Sequence, residues 1–89
     1  GAHSIAEEVR ARGVDRSIVG IPKTIDNDVP FVWMSFGYQT ALSVANEVLR
    51  GAHVEAVGAP NGIGLVKLMG RDAGFIAAGA AWRLPWLWE

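Results

Sequence analysis

The sequence predicts an α/β fold, a three-layer arrangement in which helices cover parallel strands. Segments with apolar residues at helical spacing alternate with two short, nearly continuous apolar runs, in the order helix, strand, helix, strand, helix. Alternation of this kind marks a parallel sheet. Each apolar run also ends in a polar turn, residues 23–28 after the first and 69–72 after the second. Parallel strands put such turns on one sheet edge, where open α/β folds gather the side chains that do chemistry.

The first helix is predicted over residues 2–12, with Ile5 and Val9 on one face and Glu7, Glu8, Arg10 and Arg12 around them. Ser4 is placed to cap its start and Gly13 to end it. A connector over 14–17 leads to the first strand, Ile18-Val19-Gly20-Ile21. Helix followed by strand is half of a βαβ unit whose first strand is not in the sequence.

After the first polar turn, Val29-Pro30 forces an extended connection. The second helix is predicted over 35–57. Tyr38, Ala41, Leu42, Ala45, Val48 and Leu49 keep the rhythm, and Ala52, Ala56 and Val57 carry it past Gly51. Gly58 is placed as a left-handed cap, and Pro60 prevents continuation. Asn61-Gly62 signals a turn, residues 63–69 form the second strand, and 73–81 a helix of small residues. Gly62-Ile63-Gly64 precedes its strand, whereas a phosphate-cradling loop follows one, so these glycines are structural.

At 89 residues the chain is one domain or less. A chain of this size buries only about two thirds of its unfolded surface, so stability is thin. Net charge of -1 gives no footprint for nucleic acid or for a polybasic membrane contact. The absence of cysteine excludes disulfides and thiolate metal sites and is compatible with an intracellular setting. The longest apolar stretch, residues 73–82, is half the roughly twenty residues that span a bilayer. No signal sequence opens the chain. His3 and His53 have no second ligand at metal spacing, and no metal site is expected within the sequence. The chain opens on Gly1 inside a helical pattern, and a fragment of a longer protein is expected.

The chemistry concentrates in Pro22-Lys23-Thr24-Ile25-Asp26-Asn27-Asp28, which combines two carboxylates, an amide, a hydroxyl and an ammonium. Asp and Asn are also ordinary turn formers, but the whole string is far more specific than its composition. It resembles the catalytic loop of phosphofructokinases, particularly the plant-type ATP enzymes and their pyrophosphate-dependent relatives. Ser35-Phe36-Gly37-Tyr38-Gln39-Thr40-Ala41 is similar to the segment opening that family's next helix. Lys67-Leu68-Met69-Gly70-Arg71-Asp72-Ala73-Gly74-Phe75-Ile76-Ala77 is similar to its substrate-binding turn. The matches fall in the family's order, cover residues 1–78 and fade toward Glu89. Residues 1–89 therefore read as part of a phosphofructokinase-like, Rossmannoid domain. Residues 82–89 diverge from it and hold three of the four tryptophans, which would make a sticky patch if exposed.

The resemblance implies phosphoryl transfer from ATP to the 1-hydroxyl of fructose 6-phosphate, giving fructose 1,6-bisphosphate in glycolysis, as part of a longer enzyme. Asp26 takes the role of base. Lys23 meets charge on phosphate oxygens, and Thr24 offers a hydroxyl. Thr24, Ile25, Asp26, Met69, Gly70 and Arg71 form the substrate-binding set. Asp28 either stabilises the turn or assists through water and Mg²⁺. Without the resemblance, Arg71 beside Asp72 reads as a surface pair. The family also implies Mg²⁺, a homo-oligomer and a cytoplasmic location. Trp33 and Met34 depart from the polar residues usual in the family. The family's Gly-Gly-Asp-Gly loop is not in these residues, so the chain alone is expected to turn over little or nothing. Two alternatives stand beside the ATP enzyme: a pyrophosphate-dependent phosphofructokinase, and a non-catalytic sugar-phosphate-binding remnant or regulatory module that docks through its Trp-rich end.

Overall fold

The computed structural model describes residues 1–84, which form three helices: α1 (Ala2–Ala11), α2 (Tyr38–Val57) and α3 (Phe75–Trp82). Residues 85–89, with Trp86 and Trp88 of the expected sticky tail, lie outside the described residues. The radius of gyration is 19.6 Å, against about 12 Å for a compact chain of this length. The molecule is elongated, 69 × 20 × 19 Å.

α1 buries none of its residues, and Ile5 on its apolar face is 56% exposed. Ser4 lies within the helix and does not cap it; the N-cap is Gly1, with no side-chain bond. Gly13 follows the helix at φ 64°, as its placement predicted. The exposed pair Arg12–Glu8 bridges successive turns near the end of α1 and adds a few tenths of a kcal/mol at most.

The folded centre is the contact of α2 with α3, where Leu42, Ala45, Ile76 and Ala80 are buried. Ile25, Tyr38, Leu49 and Leu68 pack against that cluster. Gly79 lets the helices approach, since a Cβ there would overlap the Tyr38 hydroxyl and press on Leu42. The same hydroxyl donates to Phe75 O at 2.9 Å and ties the start of α2 to the start of α3. Gly62 passes so close to α2 that a Cβ would overlap the carbonyl of Ala56, which is the structural demand behind Gly62-Ile63-Gly64.

Three further expectations change at the ends of α2 and α3. α2 begins at Tyr38, three residues after Ser35, because Ser35 is committed to the preceding loop. Gly58 is right-handed (φ -69°), and the left-handed turn comes at Asn61 (φ 55°). α3 starts at Phe75 after the left-handed Gly74 and runs to Trp82. Beyond it the chain folds back on α2: Leu84 is buried and Arg83 donates to Gln39 Oε1 at 2.7 Å.

The larger difference concerns the strands. Among the described residues no ladder forms, and β-pairing is limited to one parallel bridge between Lys23 and Phe36. The two apolar runs carry no helix; Val19 is 82% and Leu65 95% exposed, while Val66 is half-buried and Leu68 packs on the α2–α3 core. A helix satisfies its backbone from within, whereas a strand needs a neighbour. These runs have none among the described residues, so the expected parallel layer is not formed here.

Candidate active site

The first polar turn is built by side chains bonding backbone. Phe36 N–H donates to Pro22 O at 2.9 Å, closing a loop over residues 22–36. Inside it Asn27 adopts the left-handed conformation, φ 55°, which Asn tolerates better than most side chains. Its amide spans the loop: Oδ1 accepts from Ser35 N–H at 2.7 Å, and Nδ2 donates to Trp33 O at 3.1 Å. Ser35, 3% exposed, sends its hydroxyl to Thr24 O at 2.6 Å and lies 3.1 Å from Asn27 Oδ1. A single hydroxyl proton serves the shorter contact best. Thr24 Oγ1 accepts from Asp26 N–H at 3.1 Å and reaches Asp28 Oδ1 at 3.4 Å.

The second polar turn follows the second apolar run. Gly70 is buried at φ 131° and Arg71 is left-handed at φ 51°. Ala73 N–H donates to Gly70 O at 3.1 Å and closes the turn. Leu68 on one side and Ile76 on the other anchor it to the α2–α3 core.

These two turns meet. Arg71 Nε stands 3.8 Å from Asp26 Oδ2, with the Asp26 side chain 15% and the Arg71 side chain 82% exposed. Arg71 thus faces a carboxylate of the other turn. The juxtaposition sets a largely buried carboxylate beside a mobile-length cation and a hydroxyl, a set suited to a sugar phosphate or a transferring phosphoryl group.

Lys23 is exposed, and its stem lines an apolar cleft of about 410 Å³ with Ile25, Phe36, Val44, Leu68 and Met69. A second cleft, of about 640 Å³, runs beside Asn27 and Asp28 and is walled by Phe31, Trp33, Met34 and Phe75. Neither cleft is lined by Asp26 or Arg71. Trp33 and Phe31 project outward, at 90% and 108% exposure, while the backbone of Trp33 serves the Asn27 amide. Among the described residues no group of three or more His, Asp or Glu gathers to hold a metal ion. No described helix is long and apolar enough to cross a membrane.

The sequence places Lys23, Thr24, Ile25, Asp26, Asp28, Met69, Gly70 and Arg71 on one sheet edge. The structure gathers them on two adjoining turns, with Met69 and Lys23 on the cleft side and Asp26 against Arg71. Asn27 and Ser35 were missed as a pair. The available signal was a left-handed-tolerant Asn between two carboxylates, followed by a Ser whose helix assignment left its hydroxyl unexplained.

A carboxylate, a cation and a hydroxyl on facing turns belong to the chemistry of phosphorylated substrates. Comparison with known proteins sharpens this. The phosphofructokinase family model matches residues 1–83. An ATP-dependent 6-phosphofructokinase of Trypanosoma brucei brucei is 57% identical over 81 residues, covering 91% of this chain and 17% of the relative. One from Borreliella burgdorferi is 57% identical over 81 residues, covering 91% of this chain and 18% of the relative. ATP-dependent 6-phosphofructokinase 1 of Arabidopsis thaliana is 56% identical over 77 residues, covering 86% and 16%. The chain belongs to the phosphofructokinase family and so to the α/β class. It spans about a sixth of the length of these relatives. The family match reaches residue 83, five positions beyond the likeness legible in the motifs.

Proposed function

We propose that this chain carries the sugar-phosphate side of a 6-phosphofructokinase active site and acts within a longer enzyme. The observation that carries the reading is the approach of Arg71 to Asp26 across two turns distant in sequence, in a chain of the phosphofructokinase family. Asp26 accepts the proton of the 1-hydroxyl of fructose 6-phosphate as that oxygen bonds to the transferred phosphorus. The bond from phosphorus to the donor's bridging oxygen breaks, and the products are fructose 1,6-bisphosphate and ADP. The Thr24 hydroxyl and Lys23 meet the phosphoryl oxygens, while Met69, Gly70 and Arg71 hold the sugar phosphate, with Arg71 supplying the charge. Ile25 packs on the core and sets the height of the loop.

The ATP-dependent relatives favour ATP over pyrophosphate as donor. Magnesium, when bound, neutralises charge on the donor phosphates. Exposed Asp28 is the carboxylate of this chain that fits such an ion, through water. In the whole enzyme the runs 18–21 and 63–69 pair into the parallel layer. A homo-oligomer and a cytoplasmic setting go with the same reading, and the 89 residues alone turn over little.

The test is Asp26→Asn in the full-length enzyme that contains this segment. Turnover falls about a hundredfold or more while sugar-phosphate affinity is kept. Steady-state kinetics that return wild-type turnover remove Asp26 as the base.

A further inference from the structure

We propose that Asn27 and Ser35 are positioning residues: together they clamp the loop so that Thr24 and Asp26 stand in their working geometry. The inference rests on the phosphoryl-transfer reading and adds residues that touch neither substrate nor donor in it.

The geometry carries it in three steps. Asn27 lies between the two carboxylates, and its left-handed backbone (φ 55°) turns the chain there. On one side Asp26 faces Arg71, and on the other Asp28 faces the Thr24 hydroxyl. The side-chain amide then holds this turn in place, since one end takes Ser35 N–H and the other gives to Trp33 O. Left-handed backbone in a residue other than glycine persists where its surroundings hold it.

Ser35 completes the clamp from below. It is a buried polar side chain, 3% exposed, and the other buried side chains among the described residues are apolar. Its hydroxyl fixes the Thr24 carbonyl at 2.6 Å. The same residue, Thr24, takes the Asp26 N–H on its Oγ1 at 3.1 Å. Ser35 therefore reaches Asp26 through Thr24, and Asn27 reaches it through the adjoining peptide. A displacement of about 1 Å at a reacting group can lower a rate on the order of a hundredfold.

The readout is the split between kcat and KM in the full-length enzyme, with ATP and fructose 6-phosphate as substrates and folded protein quantified by circular dichroism. Ser35→Ala removes the hydroxyl donor. Asn27→Gly removes the amide while leaving the left-handed backbone accessible. Each is expected to lower kcat about tenfold to a hundredfold, with KM for fructose 6-phosphate held within about threefold. Ser35→Thr, which keeps the hydroxyl, recovers most of the loss. Asp26→Asn is run alongside. If wild type turns over, Asp26→Asn is dead, and both clamp variants keep kcat within about twofold, the clamp is wrong and the parent reading survives. A proportional rise in KM, or failure of both variants to fold, makes the pair merely structural and overturns the proposal. If wild-type enzyme does not phosphorylate fructose 6-phosphate, the parent reading fails and the clamp fails with it.

Discussion

In the loop over residues 22–36 side chains hold the backbone, whereas in the turn over 70–73 the backbone holds itself. The loop ties Asn27, Ser35 and Thr24 into a set of bonds of 2.6–3.1 Å, and Asp26 is left 15% exposed. The turn has one closing backbone bond and one 3.8 Å contact from an arginine that is 82% exposed. A reacting carboxylate gains from a fixed position, because geometry enters the rate directly. A phosphate-binding arginine gains from reach, because a doubly charged ligand supplies the orientation on arrival. On the proposed reading the two halves of the site divide labour, one preorganised and one recruited by its ligand.

The largest effect that sharpens the comparison is at Gly70. Its φ of 131° lies where side chains rarely go, yet a Cβ there would meet Ile76 and Gly74 only at 3.9–4.0 Å. Space is therefore sufficient and conformation is the obstacle. Gly70→Ala should cost about 1–3 kcal/mol, read by denaturant unfolding of the full-length enzyme. A variant as stable as wild type would show that the turn is not held by its backbone.

Arg71→Ala comes next. If Arg71 is recruited by ligand, its loss raises KM for fructose 6-phosphate about tenfold, roughly 1.4 kcal/mol. Turnover at saturating sugar phosphate stays within a few fold. An unchanged KM ends the assignment, and a fall confined to kcat would make Arg71 part of the preorganised half.

How much of this was legible in the sequence depended on whether each feature carries a local pattern. The rhythm of Leu42, Ala45 and Leu49 marks α2, and those residues do face α3. The strand runs were legible as apolar segments, but pairing depends on a neighbour that no local pattern supplies, and Val19 and Leu65 stand exposed without one. The approach of Asp26 to Arg71 was foreshadowed by two polar turns placed on one edge. Asn27 and Ser35 stayed hidden because bonds between a side chain and backbone eight or eleven residues away leave no period to read. Ser35 reads as helix for the same reason: its polarity fits a helix start as well as a buried clamp.

The smallest effect is the most direct test of the division of labour. If the Asp26–Arg71 contact were part of the scaffold, removing either side chain would destabilise the protein and the two losses would not add. The geometry argues otherwise. At 3.8 Å, with Arg71 82% exposed, the pair is screened by water and gives back little of the entropy lost in holding a long side chain still. A double-mutant cycle of Asp26→Asn and Arg71→Ala, read by unfolding free energy without ligand, should give a coupling below about 1 kcal/mol that shrinks further in high salt. Repeated with fructose 6-phosphate bound, the stabilisation that the ligand confers should be lost mainly in the variants lacking Arg71. A large ligand-free coupling would erase the distinction, since Arg71 would then be as fixed as Asp26 and the site would be one rigid unit.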